Sequence, residues 1–419
     1  MNKAELKEVI ISQQKRKQNA DLIERDVFHN IISHFKDPFI IVISGIRRSG
    51  KSTLLYQIKE KHPGYYLNFD DERLVHFSVE DFQTLYELFI ELYGEKDIFY
   101  FDEIQNIKGW ERFVRRLHDE KRKVFVTGSN ASMLSKELGT HLTGRYLEIN
   151  LYPFSFKEFL KLKKHPLKPN DIYVTVSKIA LKKYFDEYLV NGGLPEFLIT
   201  QNKDYLMILY DNILYRDIMA RYQITNEKTL KELIYLIASN ISKEISFNSI
   251  KNILKVGSAT TIKEYFDYFE NSFLIFLVNK FDYSLKKQIY LGKKVYLIDT
   301  GLAVNLGFRM SKDMGRLLEN LVFIDLKRQK KETYFDTGKN ECDFIIKEGT
   351  KIKEAIQVCY ELNETNKERE INGLLEAMNK FNLKEGLILT HDQSEEIVIT
   401  KKKIIVVPVF RWLIESGDR

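Results

Sequence analysis

Cysteine is nearly absent from this 419-residue chain, with only Cys342 and Cys359. Two thiols are too few for a disulfide framework or a cysteine-rich zinc site, and the usage fits a reducing cytosol. No uncharged apolar run approaches the roughly 18 residues of a membrane helix, so no membrane partner is expected. Met1 to Asn19 carries charge throughout and has no apolar core of the kind a secretory signal needs. Internal repeats and low-complexity segments are missing, and the histidines and tyrosines show no metal-like or cofactor-like spacing. Charge of one sign is also scarce: 65 Lys plus Arg against 59 Asp plus Glu leave +6, which does not by itself imply nucleic acid.

What is present is the composition of an ordinary soluble globular protein, 44% hydrophobic and 30% charged, long enough for two or three cores. Residues 3 to 36 read as charged amphipathic helices with a basic patch, Lys15, Arg16 and Lys17, best taken as a solvated face. From residue 37 short apolar runs alternate with helical stretches, the α/β signature. The runs are Phe39 to Ser44, Tyr65 to Phe69, Ile98 to Phe101, Val124 to Thr127 and Tyr146 to Leu151, which predict one parallel sheet. Pro153 and Pro166 mark a boundary, the next hundred or so residues are mostly helical in pattern, and beyond Gly315 strands and helices return. The expected divisions are an N-terminal helical extension (1–36), a P-loop α/β domain (37–155), a helical region (156–300) and a C-terminal α/β unit (301–419).

The first motif is "SGIRRSGKST", residues 44 to 53, which follows the apolar strand "PFIIVIS" and precedes the helical "TLLYQIKEK". That context is what a phosphate-binding loop requires. Gly45 and Gly50 let the backbone bend so that N–H groups along Arg47, Arg48, Ser49 and Gly50 converge on an anion, and the helix start at Lys51, Ser52 and Thr53 adds its positive dipole end. Lys51 is expected on the β- and γ-phosphates of ATP, and the Ser52 hydroxyl on Mg²⁺.

The second motif is "DIFYFDEIQ", a buried strand ending in Asp102-Glu103 at the crevice where ligands bind in parallel sheets. Asp102 is expected to hold the magnesium through its water shell, and Glu103 to polarise the attacking water. Gln105 is a candidate for a γ-phosphate or water contact. The strand "KVFVTGSN" ends in Thr127, Ser129 and Asn130, any of which could report on the γ-phosphate. Arg145, in "HLTGRY", could present a guanidinium to phosphates, usually those of a neighbouring subunit.

The residues "SGIRRSGKSTLL", "YLNFDDERL", "FDEIQNIKGWERFVRRL", "TGSNASML", "LTGRYLEINLYPFSFKEFL", "YLVNGGLPEFL", "KVYLIDTGLA", "LLENLVFIDLKR" and "ECDFII" together carry a resemblance. From about Pro38 to Thr390 the chain resembles the archaeal and bacterial AAA-type ATPases. In these a P-loop domain is joined to a winged-helix region and a C-terminal domain related to restriction-endonuclease-like folds. The resemblance implies ATP binding and hydrolysis, and no defined cellular substrate.

Helical patterns over 228 to 240, 248 to 254 and 258 to 270, followed by two apolar strands around the basic "KFDYSLKKQIYLGKK", fit a winged helix. Ser258, Thr260, Thr261 and Lys263 would lead into DNA, although Glu264, Asp267 and Glu270 repel phosphates. Lys280, Lys286, Lys287, Lys293 and Lys294 of the wing would neutralise them. Gly192 and Gly193 read as a tight turn. In the C-terminal unit Glu319 and Asp343 match the first acidic, metal-holding positions of the nuclease-like fold. The following strand offers Gln357-Val358-Cys359 where Glu-x-Lys is wanted, which predicts a degenerate site. The expected function is a cytosolic Mg²⁺-dependent ATPase, with DNA and further copies of the chain as its candidate partners. A nucleotide-gated nuclease and a non-catalytic nucleotide sensor are the alternatives.

Overall fold

Five apolar runs become five strands: β1 Ile40–Ser44, β2 Tyr65–Asn68, β3 Ile98–Asp102, β4 Lys123–Gly128 and β5 Tyr146–Asn150. In this computed structural model, which describes residues 1–14, 22–129, 139, 142–168, 170–307 and 313–415, they form one sheet in the order β2-β3-β4-β1-β5. Every pairing in it is parallel. Such a sheet needs cover on both faces, and the strands alternate accordingly. Ile40, Val42, Phe99, Phe101, Val124 and Val126 feed one core, while Ile41, Ile43, Tyr100 and Phe125 feed the other. The basic patch Lys15 to Lys17 and Asn130 lie outside the described residues.

The chain divides into two compact units, Met1–Tyr152 with Asn271–Phe273, and Pro153–Glu270 with Leu274–Arg419. The N-terminal stretch belongs to the first unit for a packing reason. Its helix Lys3–Gln14 buries Leu6, Val9 and Ile10 in the first sheet core.

In the second unit the helices Glu227–Ser239, Phe247–Ile253 and Ala259–Asn271 precede an antiparallel pair, β7 Ile275–Asn279 and β8 Lys293–Leu297. A short strand β6, Glu244–Ile245, pairs on the far side of β8. The expected basic hairpin differs from what forms. Asp282 accepts from the Ser284 N–H at 2.8 Å, Gln288 Nε2 donates back to the Asp282 carbonyl at 2.6 Å, and this turn starts a helix, Leu285–Tyr290. Two of its lysines are committed as well, and a third stays exposed near an acidic neighbour. Lys294 is 1% exposed, Lys293 bonds the Asn279 amide oxygen, and Lys287 lies 3.7 Å from Asp282.

The Gly192-Gly193 turn is closed by Asp299, whose carboxylate accepts from the Gly193 N–H at 2.6 Å. That N–H is therefore not offered to a phosphate. After the helix Met314–Arg328, strands β9 Glu332–Thr337, β10 Glu341–Glu348 and β11 Lys351–Val358, the helix Lys367–Lys380 and β12 Glu385–Thr390 follow in an α-βββ-α-β order. With β13 Glu395–Ile399 and β14 Lys402–Pro408 they make a sheet ordered β13-β14-β12-β11-β10-β9.

Candidate nucleotide-binding site

The register of the first sheet aligns Ser44 with Gly128 and Asn68 with Asp102, so the chain leaves β1, β3 and β4 at one edge. The residues after β1 form the loop, and helix Lys51–Lys61 starts directly after Gly50. Gly45 (φ 152°), Arg48 (φ 65°) and Gly50 (φ 97°) all adopt positive φ. A Cβ on Gly45 would stand 2.2 Å from the Leu151 carbonyl oxygen, so only glycine fits there. Lys51 is 3% exposed, and its ammonium donates to the carbonyls of Gly45 (3.0 Å) and Ile46 (3.1 Å). It also stands 3.6 Å from Glu103 Oε1.

Asp102 is fully buried at the end of β3. Thr127 Oγ1 donates to its Oδ1, Tyr66 OH donates to its Oδ2 at 3.0 Å, and the Ser52 hydroxyl bonds it as well. Burial raises its pKa above the usual carboxylate range, the Glu103 charge adds to this, and these hydrogen bonds oppose it. Glu103 takes a left-handed backbone (φ 50°), and its N–H donates to Thr127 Oγ1 at 2.9 Å. Its Oε2 accepts from Gln105 Nε2 at 2.5 Å and from Ser129 Oγ at 3.2 Å. Burial pushes Glu103 up, but the Lys51 charge, the Gln105 bond and the Arg47 charge outweigh it and hold the carboxylate below its ordinary pKa.

Lys51, Ser52, Asp102, Glu103, Gln105, Thr127 and Ser129 are thus brought together. Thr127 and Ser129 have distinct jobs, the first on Asp102 and the second on Glu103. Gln105 turns its amide nitrogen to Glu103, while its buried Oε1 has no partner among the described residues. The same holds for Ser49 Oγ inside the loop, which suits a polar ligand. Arg47 is half-buried, 3.9 Å from Asp70, and Arg48 is exposed. Arg145 is not part of this cluster. It precedes β5, whose register pairs Tyr146 with Ile40 and Asn150 with Ser44, and so stands at the opposite end of the sheet, 3.6 Å from Asp119. Tyr66, on Asp102, and Arg25, which donates to the Ser49 carbonyl, are contributors to which the motifs assign no role. Each reaches the site through its side-chain tip from a stretch without a phosphate-loop pattern.

The second acidic set is also assembled, around an unexpected cation. Lys294 Nζ donates to Glu319 Oε1 and Asp343 Oδ1, each at 2.9 Å, and lies 2.5 Å from Glu341 Oε1. Tyr296 OH donates to Glu319 at 2.7 Å. Gln357 accepts from the Asp343 N–H at 3.2 Å and donates to Glu370 at 2.6 Å. Among the described residues no group of three or more acidic, His or Cys side chains is arranged to hold a metal, and Glu319 and Asp343 face Lys294 instead. The physical reason is that an ammonium occupies the space between the carboxylates. Burial also pushes the Cys359 thiol up to about 12, so no thiolate stands there at neutral pH.

A family model described as an AAA domain matches residues 37–160, and one described as a domain of unknown function (DUF8612) matches residues 182–313. The uncharacterized protein MJ1544 of Methanocaldococcus jannaschii is 38% identical over 429 residues, covering 97% of this chain and 94% of that one. An uncharacterized protein of Haemophilus influenzae is 33% identical over 415 residues, covering 94% and 99%. Among solved structures, the Walker-type ATPase PABY2304 of Pyrococcus abyssi aligns with a TM-score of 0.45 and 16% identity, over 70% of this chain and 97% of that one. AMPPCP-bound DnaA from Aquifex aeolicus aligns with a TM-score of 0.26 and 17% identity, over 58% and 86%. Among the described residues no helix is long and apolar enough to cross a membrane. The chain belongs to the family of MJ1544 and its Haemophilus relative, and within it the residues around the Gly45–Ser52 loop form an AAA-type P-loop domain.

Proposed function

We propose that the protein is a Mg²⁺-dependent ATPase. The observation that carries this is the buried set Lys51, Asp102 and Thr127, with the partly buried Glu103, at the strand ends beside a glycine-bent loop whose helix begins at Lys51. The loop amides and the helix start favour bound phosphate, and Lys51 places a positive charge where charge develops on the transferred group. Glu103, kept ionised and fixed through Oε2, orients and polarises the attacking water. Ser52 and Asp102 offer oxygen donors suited to Mg²⁺, a hard cation, and that ion would neutralise phosphate charge. The test is phosphate release by the purified protein against Lys51→Ala. Equal release by the two proteins would overturn the reading.

The α-βββ-α-β order of the C-terminal unit supports its likeness to restriction-endonuclease folds, and the Lys294 ion cluster supports a non-cleaving copy. Intact duplex DNA after prolonged incubation with Mg²⁺ or Mn²⁺ is the expected result. The three helices with β7 and β8 support a winged helix whose exposed Ser258, Thr260 and Lys263 would meet DNA. Stimulation of ATPase turnover by duplex DNA that fades with salt would support that contact. The proposed setting is the cytoplasm, with Arg145 acting across a homo-oligomer interface.

A further inference from the structure

A loop that wraps an anion turns its N–H groups inward, and in a trans peptide the carbonyl then points outward. Each outward carbonyl needs a donor, or the peptide plane is free to rotate. For the Ser49–Gly50 peptide that donor is Arg25. Its Nη1 donates to the Ser49 carbonyl at 2.7 Å, and its Nη2 donates to the Tyr152 carbonyl at 2.6 Å. The guanidinium is buried directly against the loop, since a Cβ on Gly50 would stand 3.3 Å from Nη1.

The second anchor point matters as much as the first. Tyr152 follows Leu151, whose carbonyl is the surface on which Gly45 packs. The loop is therefore fixed at its start by Gly45 against residue 151 and near its end through Arg25 to residue 152. The segment that carries Arg25 is itself tied to the helix following the loop, by Gln57 Nε2 to the Ile23 carbonyl (3.2 Å) and by Lys61 to Glu24 (3.1 Å).

We propose that Arg25 is a positioning residue for nucleotide binding: by holding the Ser49 carbonyl outward it aims the Gly50 N–H into the phosphate cradle. This rests on the ATP reading of the loop. Arg25 itself touches the protein backbone and not the reacting atoms. The two carbonyls are met by the two terminal nitrogens of one planar fork, a task the single ammonium of lysine performs only in part.

The test compares Arg25→Met and Arg25→Lys with wild type and Lys51→Ala in the full chain. The readouts are ATP affinity by calorimetry, KM and kcat, and hydrogen exchange of the segment 45–52. A lost charge-assisted hydrogen bond that acts on bound nucleotide equally before and during reaction should raise Kd and KM of Arg25→Met roughly tenfold, with kcat within about twofold. Arg25→Lys should fall between wild type and Arg25→Met, with a rise of about threefold, and exchange in 45–52 should quicken in the same order. Wild-type KM, Kd and loop exchange in a folded Arg25→Met protein would overturn the proposal while leaving the ATP reading intact. Should Arg25→Met not fold, an unchanged KM and loop exchange in Arg25→Lys would overturn it equally. A wild type that binds no ATP would instead bring down the ATP reading, and this proposal with it.

Discussion

Glu103 illustrates how one side chain is prepared by its neighbours. Its backbone sits in the left-handed region, which costs a non-glycine residue on the order of 1 kcal/mol. Lys51 faces one carboxylate oxygen, and Gln105 and Ser129 hold the other. If this arrangement serves water activation, Glu103→Gln should lower kcat by roughly a hundredfold or more while ATP affinity changes little. Ser129→Ala should cost only about three- to tenfold, since one of two donors remains. Steady-state kinetics with a calorimetric Kd separates these outcomes, and an unchanged kcat in Glu103→Gln would remove the residue from the reaction. Lys294 makes the opposite case, a charge that holds structure. Burial and the Asp343 charge lift the Glu319 carboxyl to about 8 despite the ammonium beside it. Lys294→Met should destabilise the protein by about 3 kcal/mol or more, because it leaves the buried Asp343 without its cationic partner. Urea unfolding measures this. The further change Glu319→Gln should return part of the loss, and no coupling between the two substitutions would contradict the cluster.

At the scale of elements, legibility followed locality. The central strands of the first sheet, β1 and β3, were readable because each is a nearly continuous apolar run, as burial on both faces requires, whereas the edge strands β2 and β5 mix polar and apolar residues. The loop and its acidic partner were readable because glycines and charges interrupt those runs at strand ends. The helix Leu285–Tyr290 was not, since an Asx turn at Asp282 and one amide bond from Gln288 decide it against two flanking strands. Burial of Lys294 was equally hidden, because its carboxylates lie 25 and 49 positions away in the chain. Asp299 joins two elements in the same way: it caps helix Thr300–Asn305 through the Leu302 N–H (3.0 Å) and closes the Gly193 turn. Burial raises its carboxyl to about 6 in spite of these backbone bonds. The folded state then holds a proton that the unfolded chain releases near the ordinary pKa of about 4, so stability falls as pH rises between these values and levels off above about 6. The loss amounts to about 3 kcal/mol, and Asp299→Asn cannot show it. The melting temperature of wild type relative to Asp299→Asn should accordingly decline from pH 4 to 6.5 and then hold, whereas a constant difference would contradict the burial argument.

For the whole molecule the open relation is between Arg145 and the phosphates. On one chain it stands before Tyr146, which pairs with Ile40, while the loop begins after Ser44, and the four intervening strand steps span about 13 Å at ~3.3 Å per residue. A guanidinium at the far end of the sheet, beside Asp119, does not turn round to its own loop. If Arg145 serves catalysis it must come from a second copy, so two defective proteins should repair each other. Lys51→Ala keeps Arg145 and lacks a working loop, whereas Arg145→Ala keeps the loop and lacks the guanidinium. An interface that pairs the intact loop of one with the intact arginine of the other restores a complete site in a fraction of assemblies. Mixing the two inactive variants should therefore return a measurable part of wild-type turnover, rising with total protein concentration as association demands. A low Arg145→Ala rate that mixing leaves unchanged, together with a lowered melting temperature, would assign the residue to its pair with Asp119 alone. In that case the site is complete within one chain, and any assembly serves another purpose.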